Sequence, residues 1–146
     1  MDKVEAQRST YSIGDTAVSG LLGGLLGGLA MALVIVLFSL LSGQGVTYLG
    51  EFSTGTPVPP VQGLLMHLAV SSIYGMIYAL VRRGARIDRL KLPGWLAGLA
   101  YALMLWVVAV LVLLPAAKSL MLELPWVVFF CGHVAYGLVL GARQKP

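Results

Sequence analysis

The sequence predicts an all-α membrane protein, four transmembrane helices in an up-down bundle with both termini on the cytoplasmic side. Three observations predict it. Of 146 residues, 58% are hydrophobic and 11% charged, with a mean hydropathy of +0.88. A soluble domain carries about a quarter charged residues, so this chain lacks the polar surface to cover a globule in water. Four uncharged apolar runs, Ala17 to Leu41, Val61 to Val81, Trp95 to Pro115 and Leu124 to Ala142, each fall in the range of about 17–25 residues that a spanning helix needs. The basic residues are also partitioned by those runs, nine on one side and one on the other.

Each run must be helical, because lipid offers the backbone no hydrogen-bond partner. The helices are placed at about residues 14–42, 61–83, 94–116 and 124–142, within a single domain spanning 1–146. Ser12 and Asp15 form an S-x-x-D capping pair ahead of the first. The first run is too long, and lacks the small-residue cleavage site, for a removed signal peptide. Pro93 and Pro125 stand where the third and fourth helices begin, positions at which a missing N–H costs nothing. Pro115 closes the third. Trp95 and Trp126 begin spans, where an indole suits the headgroup level. The connection Ser42 to Pro60 is turn-rich and aperiodic.

Orientation follows from Lys and Arg. Lys3, Arg8, Arg82, Arg83, Arg86, Arg89, Lys91, Arg143 and Lys145 lie on the side of the tails and middle loop, and Lys118 alone lies on the other. The positive-inside rule makes the first side cytoplasmic. The cluster Arg82, Arg83, Arg86, Arg89 and Lys91 also suits anionic lipid or a docking partner, at about 1 kcal/mol per basic residue near the surface. These residues flank apolar spans without interleaved aromatics, so nucleic acid is not the expected partner.

Two patterns within the spans carry candidate function. In the first helix Gly20, Gly24 and Gly28 repeat every four residues, extended by Ala32, and Gly23 and Gly27 form an adjacent row. Small residues at this spacing let another helix approach closely, within the bundle or from another subunit. In the second helix Gly63, His67, Ser71 and Gly75 form a polar row flanked by Tyr74 and Tyr78. The fourth carries Phe129, His133, Gly137 and Gly141, with Tyr136 alongside. Intramembrane ionisable residues are functional candidates by default. His67 and His133 fall roughly 9 and 14 Å below the ends of parallel helices at 1.5 Å rise per residue, close enough to share one layer. That arrangement suits bis-histidine ligation of a b-type haem, with a glycine on each row admitting the macrocycle, or a quinone or proton role. The alternative is structural hydrogen bonding to Ser71, Tyr74, Tyr136 or a carbonyl. The lone cysteine, Cys131, is expected to be a buried structural thiol.

No enzyme signature is present. All six acidic residues lie outside the apolar runs, no phosphate-binding loop or Ser/His/Asp set can be drawn, and no metal site is expected. The spans lack the charges and breaks of a transporter acting alone. The zipper-like first helix, the Gly-x-x-x-His of the second followed by Tyr-Gly, Trp106 ahead of Pro115, and the His-x-x-Tyr-Gly-x-x-x-Gly of the last resemble small uncharacterised bacterial four-helix inner-membrane proteins, YagU-like in broad layout. That resemblance implies a bacterial inner-membrane location and no activity.

The leading expectation is a non-catalytic accessory or scaffold subunit of a larger membrane assembly, respiratory or photosynthetic. It would have no cofactor, and its partners would be lipids and other membrane subunits or copies of itself. The alternatives are a haem- or quinone-binding membrane anchor using His67 and His133, with haem b the candidate cofactor, and a small oligomeric carrier or channel.

Overall fold

The computed structural model describes residues 12–43, 45–52, 58–85 and 92–143. Four helices are long and apolar enough to cross a membrane: α1, Ile13–Leu41; α2, Pro60–Gly84; α3, Gly94–Ala117; and α4, Trp126–Arg143. Short 3-10 turns at Thr47–Phe52 and Leu120–Glu123 lie in the α1–α2 and α3–α4 connections. The orientation with respect to a membrane rests on the charge partition alone.

The capping pair forms as a reciprocal box. Asp15 N–H donates to Ser12 Oγ at 3.0 Å, and Ser12 N–H donates to Asp15 Oδ2 at 2.8 Å, so two orphan donors of the first turn are satisfied. At the far end, Ser39 Oγ donates to Gly45 O, and Gly43 and Gly45 take positive φ, where a side chain would be strained.

The third and fourth helices depart from expectation. Pro115 does not close α3. A π turn at Ala109–Leu113 precedes it, and an α turn at Leu114–Ala117 follows. Proline has no N–H to give to the preceding turn and its ring clashes with the carbonyl four residues back; a π turn widens the helix at that point and lets it continue. Lys118, in the left-handed conformation at φ 49°, ends the helix instead. The fourth helix starts at Trp126 rather than Leu124, because Leu124 is extended, as the residue before a proline usually is.

Neighbouring helices meet at small residues. A methyl group on Gly24 would overlap Ser71 O and stand 2.9 Å from Gly75 Cα and Ser72 Cα, and one on Gly20 would stand 2.7 Å from Gly75 O. The row Gly20, Gly24, Gly28 is therefore occupied by α2 in an antiparallel crossing, and Gly27 of the second row is covered by Tyr136 of α4. All five glycines of the two rows are buried. A second crossing, missing from the sequence reading, joins α3 to α4: Gly98 packs on Gly137 and Gly141, and Gly137 on Ala102. Its signal was legible as Gly94, Gly98 and Ala102 at four-residue steps. Apolar tails have no reason to expel one another in lipid, so this close backbone approach supplies the dispersion that holds such helices together. The core gathers where the crossings converge, around Ile35, Tyr78, Ala102, Phe129, Tyr136 and Leu140. Long apolar side chains cover the outer surface, among them Leu33, Leu37, Val61, Leu65 and Leu111. Cys131 belongs to that exposed surface and is not a buried thiol.

Candidate functional site

The polar rows of α2 and α4 converge. His67 sits on α2 against α1, where its Nε2–H donates to Gly28 O at 3.1 Å. The absence of a side chain at Gly28 brings that carbonyl within reach, since Ser71 Cβ and Oγ already stand 2.7 and 2.8 Å from where a Gly28 methyl would be. One turn along α2, Ser71 O accepts from the hydroxyl of Tyr136 on α4 at 2.9 Å. A turn further, Tyr74 O accepts from the hydroxyl of Tyr101 on α3, also at 2.9 Å, and the Tyr101 ring meets that of Tyr78 at a 43° tilt with centroids 5.0 Å apart. Two tyrosines thus tie α3 and α4 to the backbone of α2.

His133, buried on α4, donates from Nδ1–H to Phe129 O of its own helix at 2.9 Å, and its ring meets the Phe129 ring edge-on at 4.6 Å. A carbonyl only accepts, so Nδ1 carries the proton and a neutral ring keeps a lone pair at Nε2. Among the described residues Nε2 makes no hydrogen bond.

Both histidines line one cavity of about 220 Å³. Its wall is completed by Ser71, Tyr74 and Tyr136, by Met31 and Met121, and by the end of α3 from Leu105 through the π turn to Ala117. Glycines hold α3 and α4 together at the Gly98–Gly137 crossing. Further along, Trp106 of α3 and Phe130 of α4 stand edge-to-face with centroids 5.4 Å apart, and the π turn of α3 supplies Ala109 and Leu113 to the cavity wall. Val70 of α2 and Leu113 of α3, 50% and 43% exposed, form its rim, so the mouth opens sideways on the apolar outer surface.

The glycines expected to admit a macrocycle are taken by the chain itself. Gly75 packs on α1, Gly137 and Gly141 on α3, and Gly63 against Leu49 and Gly50 of the first connection. Of the basic cluster, Arg83 reaches back to α1, donating to Ser12 O at 3.0 Å and Thr16 Oγ1 at 2.7 Å, and Arg82 is buried. Arg86, Arg89 and Lys91 lie outside the described residues.

A family model described as "Family of unknown function (DUF6789)" matches residues 14–145, nearly the whole chain and all four helices, and the chain belongs to that family. The match agrees with the expected family of small proteins without an assigned activity, and it shows no likeness to YagU-like proteins. No curated protein and no solved structure matches.

Proposed function

We propose that this member of the DUF6789 family is a non-catalytic membrane subunit that holds a membrane-dissolved, single-ring quinone head group in the cavity between His67 and His133. The observation that carries the reading is the convergence of both intramembrane histidines on one apolar cavity whose mouth opens sideways. A ligand that lives in the bilayer reaches such a mouth without crossing water. Volume narrows the class: an apolar cavity of about 150 Å³ accepts benzene, so about 220 Å³ suits one substituted six-membered ring with its tail left in lipid.

The same features weigh against the porphyrin alternative. A four-pyrrole plate exceeds this volume, the flanking glycines are filled by neighbouring helices, and His67 Nε2 is engaged by Gly28 O. The carrier alternative gains no support, since no intramembrane charge or open path accompanies the cavity among the described residues. Membership of a larger assembly is supported by the short connections between the helices. The small-residue rows that would suit an outside partner face α2 and α4, so contacts with other subunits would use the exposed outer faces. The nine-to-one basic partition supports an orientation with both termini on the cytoplasmic side.

The test is binding. Protein purified in mild detergent should retain quinone in stoichiometric amount, seen in the ultraviolet spectrum of its lipid extract, and Val70→Trp should abolish retention by filling the mouth. A folded protein that retains none, or one that carries a Soret band lost in His67→Ala and His133→Ala, sinks the reading. A reporter fused after Pro146 that functions only outside the cytoplasm would overturn the orientation.

A further inference from the structure

We infer that the cavity prefers the hydrogen-donating, reduced form of its ligand, a quinol hydroxyl rather than a quinone carbonyl, with Nε2 of His133 as the acceptor. The inference rests on the quinone reading above and assigns the chemistry of that site.

The argument is a count of donors and acceptors around the cavity. The Tyr74 hydroxyl rotates and serves either role, and Ser119 Oγ, which accepts from Met121 N–H at 3.3 Å, still has a proton to donate and a lone pair to accept, so they do not discriminate between a carbonyl and a hydroxyl. The Tyr136 hydroxyl has committed its proton to Ser71 O. His67 commits Nε2–H to Gly28 O, so its neutral ring has no second proton to donate, and Ser71 Oγ lies against Gly28. His133 has no such freedom. Its Nδ1 proton is held by Phe129 O of the same helix, and the Phe129 ring blocks rotation of the imidazole from one side. Its remaining nitrogen is therefore an acceptor of fixed position. A carbonyl oxygen placed against it sets lone pair against lone pair and leaves a polar atom unsatisfied. A hydroxyl placed there completes a hydrogen bond. The second oxygen of the ring is indifferent to oxidation state, because the rotatable hydroxyls adapt to it.

The experiment uses the full chain in lipid nanodiscs under anaerobic conditions and three probes: tetramethyl-1,4-benzoquinol, the corresponding quinone, and the dimethyl ether of the quinol, which keeps the ring and cannot donate. The quinol should bind roughly tenfold tighter than either of the others, the size expected for one hydrogen bond made against one left unmade. His133→Leu should erase that advantage and leave the three probes equal. Equal binding of all three to the unaltered protein, or tighter binding of the quinone, overturns this inference and leaves the cavity reading standing. Binding of none overturns both. Because His133→Leu replaces a packed ring, nitrogen-15 spectra of the unaltered protein give an independent readout. Nε2 should resonate as an unprotonated nitrogen and shift on addition of quinol; a proton found on Nε2 in the empty protein refutes the assignment.

Discussion

Gly24→Ala tests the packing that places the site. A methyl group there overlaps Ser71 O and stands 2.9 Å from both Gly75 Cα and Ser72 Cα. Carbon atoms rest best about 3.5–4.0 Å apart, so α1 and α2 must separate by roughly 0.6–1 Å. No rotamer relieves the overlap, because all three neighbours are backbone. Overpacking of this kind costs about 1–3 kcal/mol. Alanine returns about 0.5–1 kcal/mol through its greater helix preference over glycine. The expected net loss is about 0.5–2 kcal/mol, roughly a twofold to thirtyfold fall in the folded-to-unfolded ratio. One turn away, the 3.1 Å bond from His67 to Gly28 O spans the same interface and should lengthen, so ligand retention should fall along with stability. Titration of the detergent-solubilised protein with SDS, followed by circular dichroism, measures the loss. Gly84→Ala is the internal comparison: nothing lies within 4 Å of a methyl group there, and it should be neutral or stabilising. A Gly24→Ala protein as stable as the unaltered one would refute the α1–α2 crossing.

Further outcomes follow from single interactions. Tyr136→Phe removes the 2.9 Å bond to Ser71 O without changing ring packing, and should cost about 0.6 kcal/mol, the mean for such bonds within membranes, in the same titration. Lys118→Gly should stabilise by up to about 1 kcal/mol, because the residue that ends α3 sits at φ 49°, a conformation that favours glycine; a loss of stability would place the cause in a lysine contact instead. Trp106→Phe deletes a buried indole N–H that has no hydrogen-bond partner among the described residues while keeping an aromatic ring against Phe130. It should therefore be tolerated far better than Trp106→Ala, which removes the edge-to-face contact, in the same titration.

Some features were legible because they depend on local spacing. The Ser12–Asp15 box needs only a three-residue step and a following helix, and both of its bonds form. The shared layer of His67 and His133 came from helical rise alone, and the two residues do line one cavity. Other readings failed where the decisive neighbour is remote in sequence. Gly137 and Gly141 read as a face for a cofactor, yet Gly98 and Ala102 occupy it. Cys131 read as buried because its run is apolar, but in a lipid-facing chain an apolar run has an outer surface too. Pro115 read as a terminator because its effect was judged without the π turn that precedes it.

The sequence by itself determined four helices long and apolar enough to span a membrane, their connections, and the partition of basic residues, because hydropathy and helical rise are properties of contiguous residues. Tertiary structure alone decided what the small residues and histidines face. A glycine row specifies a smooth surface but not its occupant, and a histidine specifies two nitrogens but not which keeps its lone pair. Here α2 takes the first row of α1, Gly98 and Ala102 of α3 take the glycines of α4, and Phe129 O holds the Nδ1 proton, so that the acceptor nitrogen of His133 remains on an apolar cavity open to the side.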